Sequence, residues 1–233
     1  MQKGIYNRGA IIMLWITAAI WGFAFVAQRA GMEFIGPFTF NGIRFLLGSA
    51  SLIPLIFWMK YKQKDTASKQ KNILWGGLLA GTVLFIGASL QQAGMVYTEA
   101  GKAGFITGFY VILVPLIGIF IGQHITKLLW TGAFIALAGL YFLTINGPFV
   151  LQKGDMLILL SAFFWAIHVQ VINKLVDTHA ALPLSAFQFA VCGLLSLGTG
   201  FIFETITLDS IFQATIPLLY GGFMSVGIAY TMQ

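Results

Sequence analysis

Apolar side chains run through this chain in long, nearly unbroken blocks, separated by short polar connections that hold most of the lysines. Eight blocks are long enough to cross a bilayer, whose hydrocarbon of roughly 30 Å takes about 20 helical residues. They cover 10–27, 38–59, 73–96, 103–122, 128–145, 156–172, 184–203 and 211–232. Each block is apolar on every face, whereas the strands of a membrane barrel are shorter and alternate apolar with polar positions. The pattern predicts an all-α, polytopic bundle of transmembrane helices.

Composition agrees. With 58% apolar residues, 9% charged residues and a mean hydropathy of +0.88 over 233 residues, the chain lacks the polar surface that a water-facing domain needs. The first block has Lys3 and Arg8 ahead of it, as a signal peptide would. It is too long, has no small-residue cleavage site and leads into further spans, so it reads as an anchor. A net charge of +6 would suggest nucleic acid in a soluble protein, but here the cations orient the spans. With the N-terminus inside, Lys3, Arg8, Lys60, Lys62, Lys64, Lys69, Lys71, Lys127 and Lys174 fall on the cytoplasmic side. Only Arg29, Lys102 and Lys153 fall outside. The expected location is therefore the cytoplasmic (inner) membrane, with both termini cytoplasmic.

An internal repeat refines the topology. Thr17-Ala-Ala-Ile-Trp21 recurs as Ser161-Ala-Phe-Phe-Trp165, and each is followed by a proline that opens the next span, Pro37 and Pro183. A half of five spans is odd, so its second copy enters from the opposite side, giving inverted repeats of the kind secondary transporters use. The expected units are 9–146, with five helices, and 154–233, with about three. By analogy with the first half, two further spans, roughly 55 residues, are expected to complete the second unit.

The details resemble a known family. Trp21-Gly22, Pro37 followed by Arg44, Tyr97-Thr98, the run from Gly108 to Pro115 and Gly139-Leu-Tyr141 look like the EamA domain of the drug/metabolite transporter superfamily. The resemblance covers nearly the whole chain and is most specific near Pro115 and Gly139. It implies two five-helix units, a central cavity, and export or exchange of metabolites, often amino acids or related compounds. One departure is Gly122-Gln123-His124, where the family usually has Gly-Glu and a basic residue.

Helical spacing groups the candidate site residues. Thr17, Trp21, Ala24 and Gln28 share one face, and Ser161, Trp165, His168 and Ile172 share another. Both stripes carry polar groups at membrane depth, where they either line a midplane cavity or mediate helix packing. The cavity reading has Trp21 and Trp165 stacking on the solute, with Gln28 and His168 hydrogen-bonding it. Arg44 lies roughly 10 Å into its span at 1.5 Å per residue. It either faces an anionic solute, or snorkels outward or pairs with Glu33 or Glu99. Asn41 and Gln91 complete the candidates. Gln91 and Gln92 point different ways, so at most one meets the cavity. The pairs Gly77/Gly81, Gly104/Gly108 and Gly118/Gly122 have the spacing of packing contacts.

Several classes are disfavoured. Every Asp and Glu falls at or near a span end, so no buried carboxylate is expected to exchange a proton for a cationic drug. His168 is then the one titrating group within a span available for proton coupling. His124, His168 and His179 are far apart with no carboxylate at ligand spacing, and Cys192 stands alone, which argues against an enzyme, a metal or any cofactor. No P-loop is present. The expected partners are a small-molecule substrate and membrane lipid, not nucleic acid. The expected function is a secondary transporter of a small polar, amino-acid-like metabolite, working as an exporter by alternating access. A non-transporting membrane scaffold or channel subunit is the alternative, ahead of a membrane-embedded enzyme.

Overall fold

The computed structural model describes residues 8–62, 73–144 and 152–232. All regular structure among them is helical: α1 (Arg8–Gly31), α2 (Pro37–Lys62), α3 (Ile73–Met95), α4 (Ala100–Gly108), α5 (Tyr110–Phe120), α6 (Lys127–Thr144), α7 (Lys153–Val176), α8 (Ala181–Phe203), α9 (Leu208–Gln213), α10 (Thr215–Leu219), a π-helical segment (Tyr220–Ala229) and α11 (Tyr230–Met232). Seven spans are long and apolar enough to cross a membrane, with α4 and α5 counting as one and Thr215–Met232 as another. The remaining expected span is α6, of 18 residues, whose apolar part, Lys127–Gly139, is shorter. This is a multi-pass membrane protein.

Two expected spans are not single α-helices. The fourth bends where α4 gives way to α5, with Phe109 N–H turning back to Ile106 O at 3.2 Å. Gly108 and the N–H-less Pro115 both weaken the helix there. The last starts after a break at Ala214 and then widens into the π segment, which carries Gly221, Gly222 and Gly227. Such widening costs hydrogen-bond quality and concentrates at functional sites.

The outside of the bundle is apolar: Trp15, Phe120, Leu128, Phe142 and Ile216 are all more than 70% exposed. Lipid tails solvate such side chains as well as a protein core does, so close packing decides which helices associate. α2 runs along α8, α3 along α7 and α8, and the π segment along α1 and α2. Glycine makes one of these crossings possible: a Cβ on Gly94 of α3 would come within 2.7 Å of Gly154 O on α7. Phe45, Leu84, Phe189, Cys192 and Val226 fill the centre, drawn from α2, α3, α8 and the π segment.

One end of the bundle is cinched by two carboxylates. Glu204, just past α8, accepts the N–H groups of Phe38 and Thr39, each at 2.8 Å, and the Thr39 hydroxyl at 2.6 Å. It thus caps α2, satisfying donors that a helix start leaves open. Asp155 accepts from Lys102 Nζ at 2.6 Å, Thr98 Oγ1 at 2.9 Å and Gln152 N–H at 2.7 Å, tying α7 to the start of α4. Asp155 is fully buried by neighbouring protein although it lies at a span end, in the first turn of α7. Its position at the helix start, with an ammonium and two further donors, makes that burial tolerable.

Candidate functional site

Between α1, α2, α3, α4, α5, α7, α8 and the last span, from the π segment into α11, lies a cavity of about 550 Å³. Its inner wall carries the buried side chains of Gln28, Arg44, Gln91, His168 and Gln188. Its other end reaches exposed Asn173, Val176 and Ala181, so it opens where α7 turns into α8, away from the carboxylate-cinched end.

Six of the seven residues singled out in the sequence lie in this wall: Trp21, Gln28, Arg44, Gln91, Trp165 and His168. Asn41 does not. It is fully buried behind the wall, with Nδ2 donating to Ala88 O and Oδ1 accepting from Arg44 Nε, both at 2.9 Å. Both ends of its amide are therefore occupied by the protein. Thr17 and Ser161 are likewise buried outside the wall, Ser161 bonding back to Ile158 O in its own helix. Of the adjacent amides, Gln91 faces the cavity and Gln92 turns away, donating to Gln28 O at 3.2 Å. Gly104 and Gly108, expected as packing contacts, are part of the wall. Gly122 adopts a left-handed φ of 81° at the end of α5, a turn that favours glycine.

The polar groups are linked to one another. Trp165 Nε1 donates to Gln91 Oε1 at 2.6 Å, and Gln28 lies next in that chain, 3.4 Å from Gln91 Nε2. His168 Nε2 is 2.8 Å from Gln188 Oε1; a carbonyl oxygen only accepts, so Nε2 carries the hydrogen. Tyr230 sits between the two tryptophans, with ring centroids 5.3 Å from Trp21 and 6.4 Å from Trp165. Trp21 Nε1 also reaches Ser225 O, at a long 3.4 Å. Both stripes found in the sequence thus meet at a residue of the last span.

Arg44 neither snorkels nor pairs with Glu33 or Glu99. The residue is 4% exposed, and its guanidinium lies 4.7 Å from the Phe45 ring centre and 5.8 Å from that of Phe40, with no carboxylate within ion-pair distance among the described residues. Gly221 and Gly222 of the π segment pack beside it, leaving room for the side chain to stay inside.

Gln188, Tyr110, Tyr230 and Ser225 belong to the wall but were not singled out from sequence. Gln188 had a signal, a lone amide five residues past Pro183 in an apolar run. Tyr230 and Ser225 had none, because their facing depends on the π segment, which breaks the 3.6-residue period. No group of three or more His, Cys, Asp or Glu among the described residues could hold a metal. This geometry serves binding: donors, acceptors, one cation and aromatic faces around a space of solute size.

A bundle of membrane-spanning helices around a cavity that mixes aromatic and apolar surface with a few polar side chains suits the class of helical membrane transporters. The profile of the EamA-like transporter family matches residues 8–145 and again 152–233. The chain belongs to that family. Among its relatives, an uncharacterized transporter of Archaeoglobus fulgidus is 26% identical over 99% of this chain and 70% of its own length. A second from the same organism is 27% identical over 79% of this chain and 64% of its own length. The uncharacterized transporter YoaV of Bacillus subtilis is 26% identical over 95% of this chain and 77% of its own length. A crystal structure covering 96% of this chain, with 77% of its own length matched, superposes with a TM-score of 0.74 at 18% identity and supports the fold alone.

Proposed function

We propose that the protein is a secondary transporter that exports a small polar metabolite across the cytoplasmic membrane by alternating access. The observation that carries this is the cavity of about 550 Å³, lined by Trp21, Trp165, Gln28, Gln91, Arg44 and His168 and reaching exposed residues at the α7–α8 end. The distribution of Lys residues supports a cytoplasmic placement of that end, which makes this the inward-facing conformation in the proposed cycle.

Inverted repeats supply the mechanism. Exchanging α1 with α7, α2 with α8 and α3 with the π segment maps the α1–π contact onto α7–α3 and the α2–π contact onto α8–α3, and leaves α2–α8 in place. Such exchange symmetry is what two inverted units at 9–146 and 154–233 require, and the double family match supports the same division. Rocking one unit against the other breaks the Glu204 and Asp155 ties and opens the opposite end, with Trp21 and Trp165, equivalent in the repeat, holding the solute from both sides.

The test is flux of labelled metabolites in proteoliposomes, comparing wild type with Trp21→Ala and Trp165→Ala variants shown to be folded. Loss of transport in both supports the reading. Unchanged transport in both rejects the tryptophans as the site, and no transport of any solute by wild type favours a scaffold.

A further inference from the structure

Resting on that cavity as the solute site, the charge of its wall narrows what the solute can be. Arg44 is the one Asp, Glu, Lys or Arg residue in the wall. Asn41 holds Nε at 2.9 Å and is itself held by Ala88 O, so the guanidinium plane is fixed from behind. Its two terminal nitrogens have no acceptor among the described residues and belong to a side chain that lines the space. An arginine keeps its proton, and a buried cation needs a partner. The aromatic faces of Phe45 and Phe40 supply part of that compensation and leave the forked donors free.

No carboxylate faces the cavity. The wall oxygens of Gln91, Gln188 and Ser225 each accept one hydrogen bond, from Trp165, His168 and Trp21, and being neutral they do not offset a full positive charge. An ammonium entering here would meet a fixed cation and no free anion.

We infer that the transported solute is an organic monoanion, a carboxylate on an apolar body without an amino group, bound through its carboxylate to the terminal nitrogens of Arg44. The aromatic surfaces of Trp21, Trp165 and Tyr230 receive the apolar body, and entry is from the α7–α8 end.

The experiment holds one carbon skeleton constant and varies its charge. Binding of 3-phenylpropionate, 3-phenylpropan-1-ol, 3-phenylpropylamine and phenylalanine is measured by calorimetry on the protein in lipid nanodiscs, for wild type, Arg44→Gln and Arg44→Lys. The propionate should bind tightest. It should weaken by about 30-fold in Arg44→Gln, the mid-range for charge-assisted hydrogen bonds. Arg44→Lys should recover only part of the affinity lost in Arg44→Gln, because an ammonium keeps the charge but not the guanidinium fork, and the alcohol should bind all three proteins alike. Equal binding of the four compounds, or propionate binding unchanged in Arg44→Gln, overturns the charge assignment while leaving the cavity reading intact. Phenylalanine binding more tightly than the propionate overturns it in favour of a zwitterion. Binding of none of the four also overturns it, and the flux panel then decides separately whether the cavity carries any solute. The unfolding temperature of each variant, followed by exposure of the buried Cys192 thiol, separates lost binding from lost fold.

Discussion

Removing the Glu204 carboxylate should destabilise the bundle more than an ordinary surface substitution, because that group caps a helix distant in sequence. Its oxygens receive three hydrogen bonds, from Phe38 N–H, Thr39 N–H and Thr39 Oγ1, at 2.6 to 2.8 Å. Hydrogen bonds to a charged group contribute about 1.5 kcal/mol each at the low end, but bonds sharing one acceptor group add incompletely. Glu204→Ala should therefore cost about 3 kcal/mol, and Glu204→Gln, which keeps one carbonyl oxygen, roughly half that. For a chain of this size such a loss lowers the unfolding temperature by on the order of 6–12 °C for the alanine variant. Gly36→Ala should resemble Glu204→Ala, since a Cβ there would collide with the Glu204 carboxyl group. The assay is already in the sequence: Cys192 is the single cysteine and is buried, so a fluorogenic maleimide reports unfolding in detergent. Unfolding at the wild-type temperature in both Glu204 variants would refute the reasoning and reduce the contact to a surface accident.

Three further outcomes follow from the same geometry. Lys102→Met should cost 3–5 kcal/mol by leaving the fully buried Asp155 charged without its ammonium, and adding Asp155→Asn should recover part of the loss, as read by the same thiol assay. Gly81→Ala should destabilise by about 1–3 kcal/mol, because its Cβ would press to 2.6 Å from Val191 Cβ and 2.8 Å from Gln188 O, whereas Gly22→Ala, with nothing within 4 Å, should be neutral or stabilising. Asn41→Leu should weaken solute binding without adding to the effect of Arg44→Gln, a non-additivity measurable by calorimetry, because Asn41 acts through Arg44.

How far the sequence reached depends on which physical signal each residue carries. Continuous apolar blocks foretold the helical spans, because burying backbone polar groups in lipid leaves the chain few alternatives. The stripe argument brought out Trp21, Gln28, Trp165 and His168, since α1 and α7 keep the α-helical period for which it was made. It failed for Ser225 and Tyr230, whose facing is set by a π-helical stretch that no local pattern announces. For Thr17 and Ser161, on the same faces, it left cavity and packing both open, and both are buried outside the wall because a face is broader than the opening it borders. Arg44 illustrates the limit of reasoning from depth alone. Ten ångströms inside a span allows either snorkelling or burial, and the choice is made by Asn41, Phe45 and the glycines of a segment nearly two hundred residues away. Glu204 was legible as a span-end charge but not as the cap of α2, and the ties of Asp155 to Thr98 and Lys102 were hidden likewise, since those partners are far away in the chain.

The central claim is that solute passes through the cavity at the α7–α8 end. Its most direct test places a plug there: Ser185→Cys, in the cavity wall, labelled with a bulky maleimide before reconstitution, against Asp177→Cys, exposed and outside the wall, as the control. The buried Cys192 should stay unmodified in the folded protein. Flux of the transported solute should stop on labelling Ser185→Cys and continue on labelling Asp177→Cys. Undiminished flux through fully labelled Ser185→Cys would contradict the account.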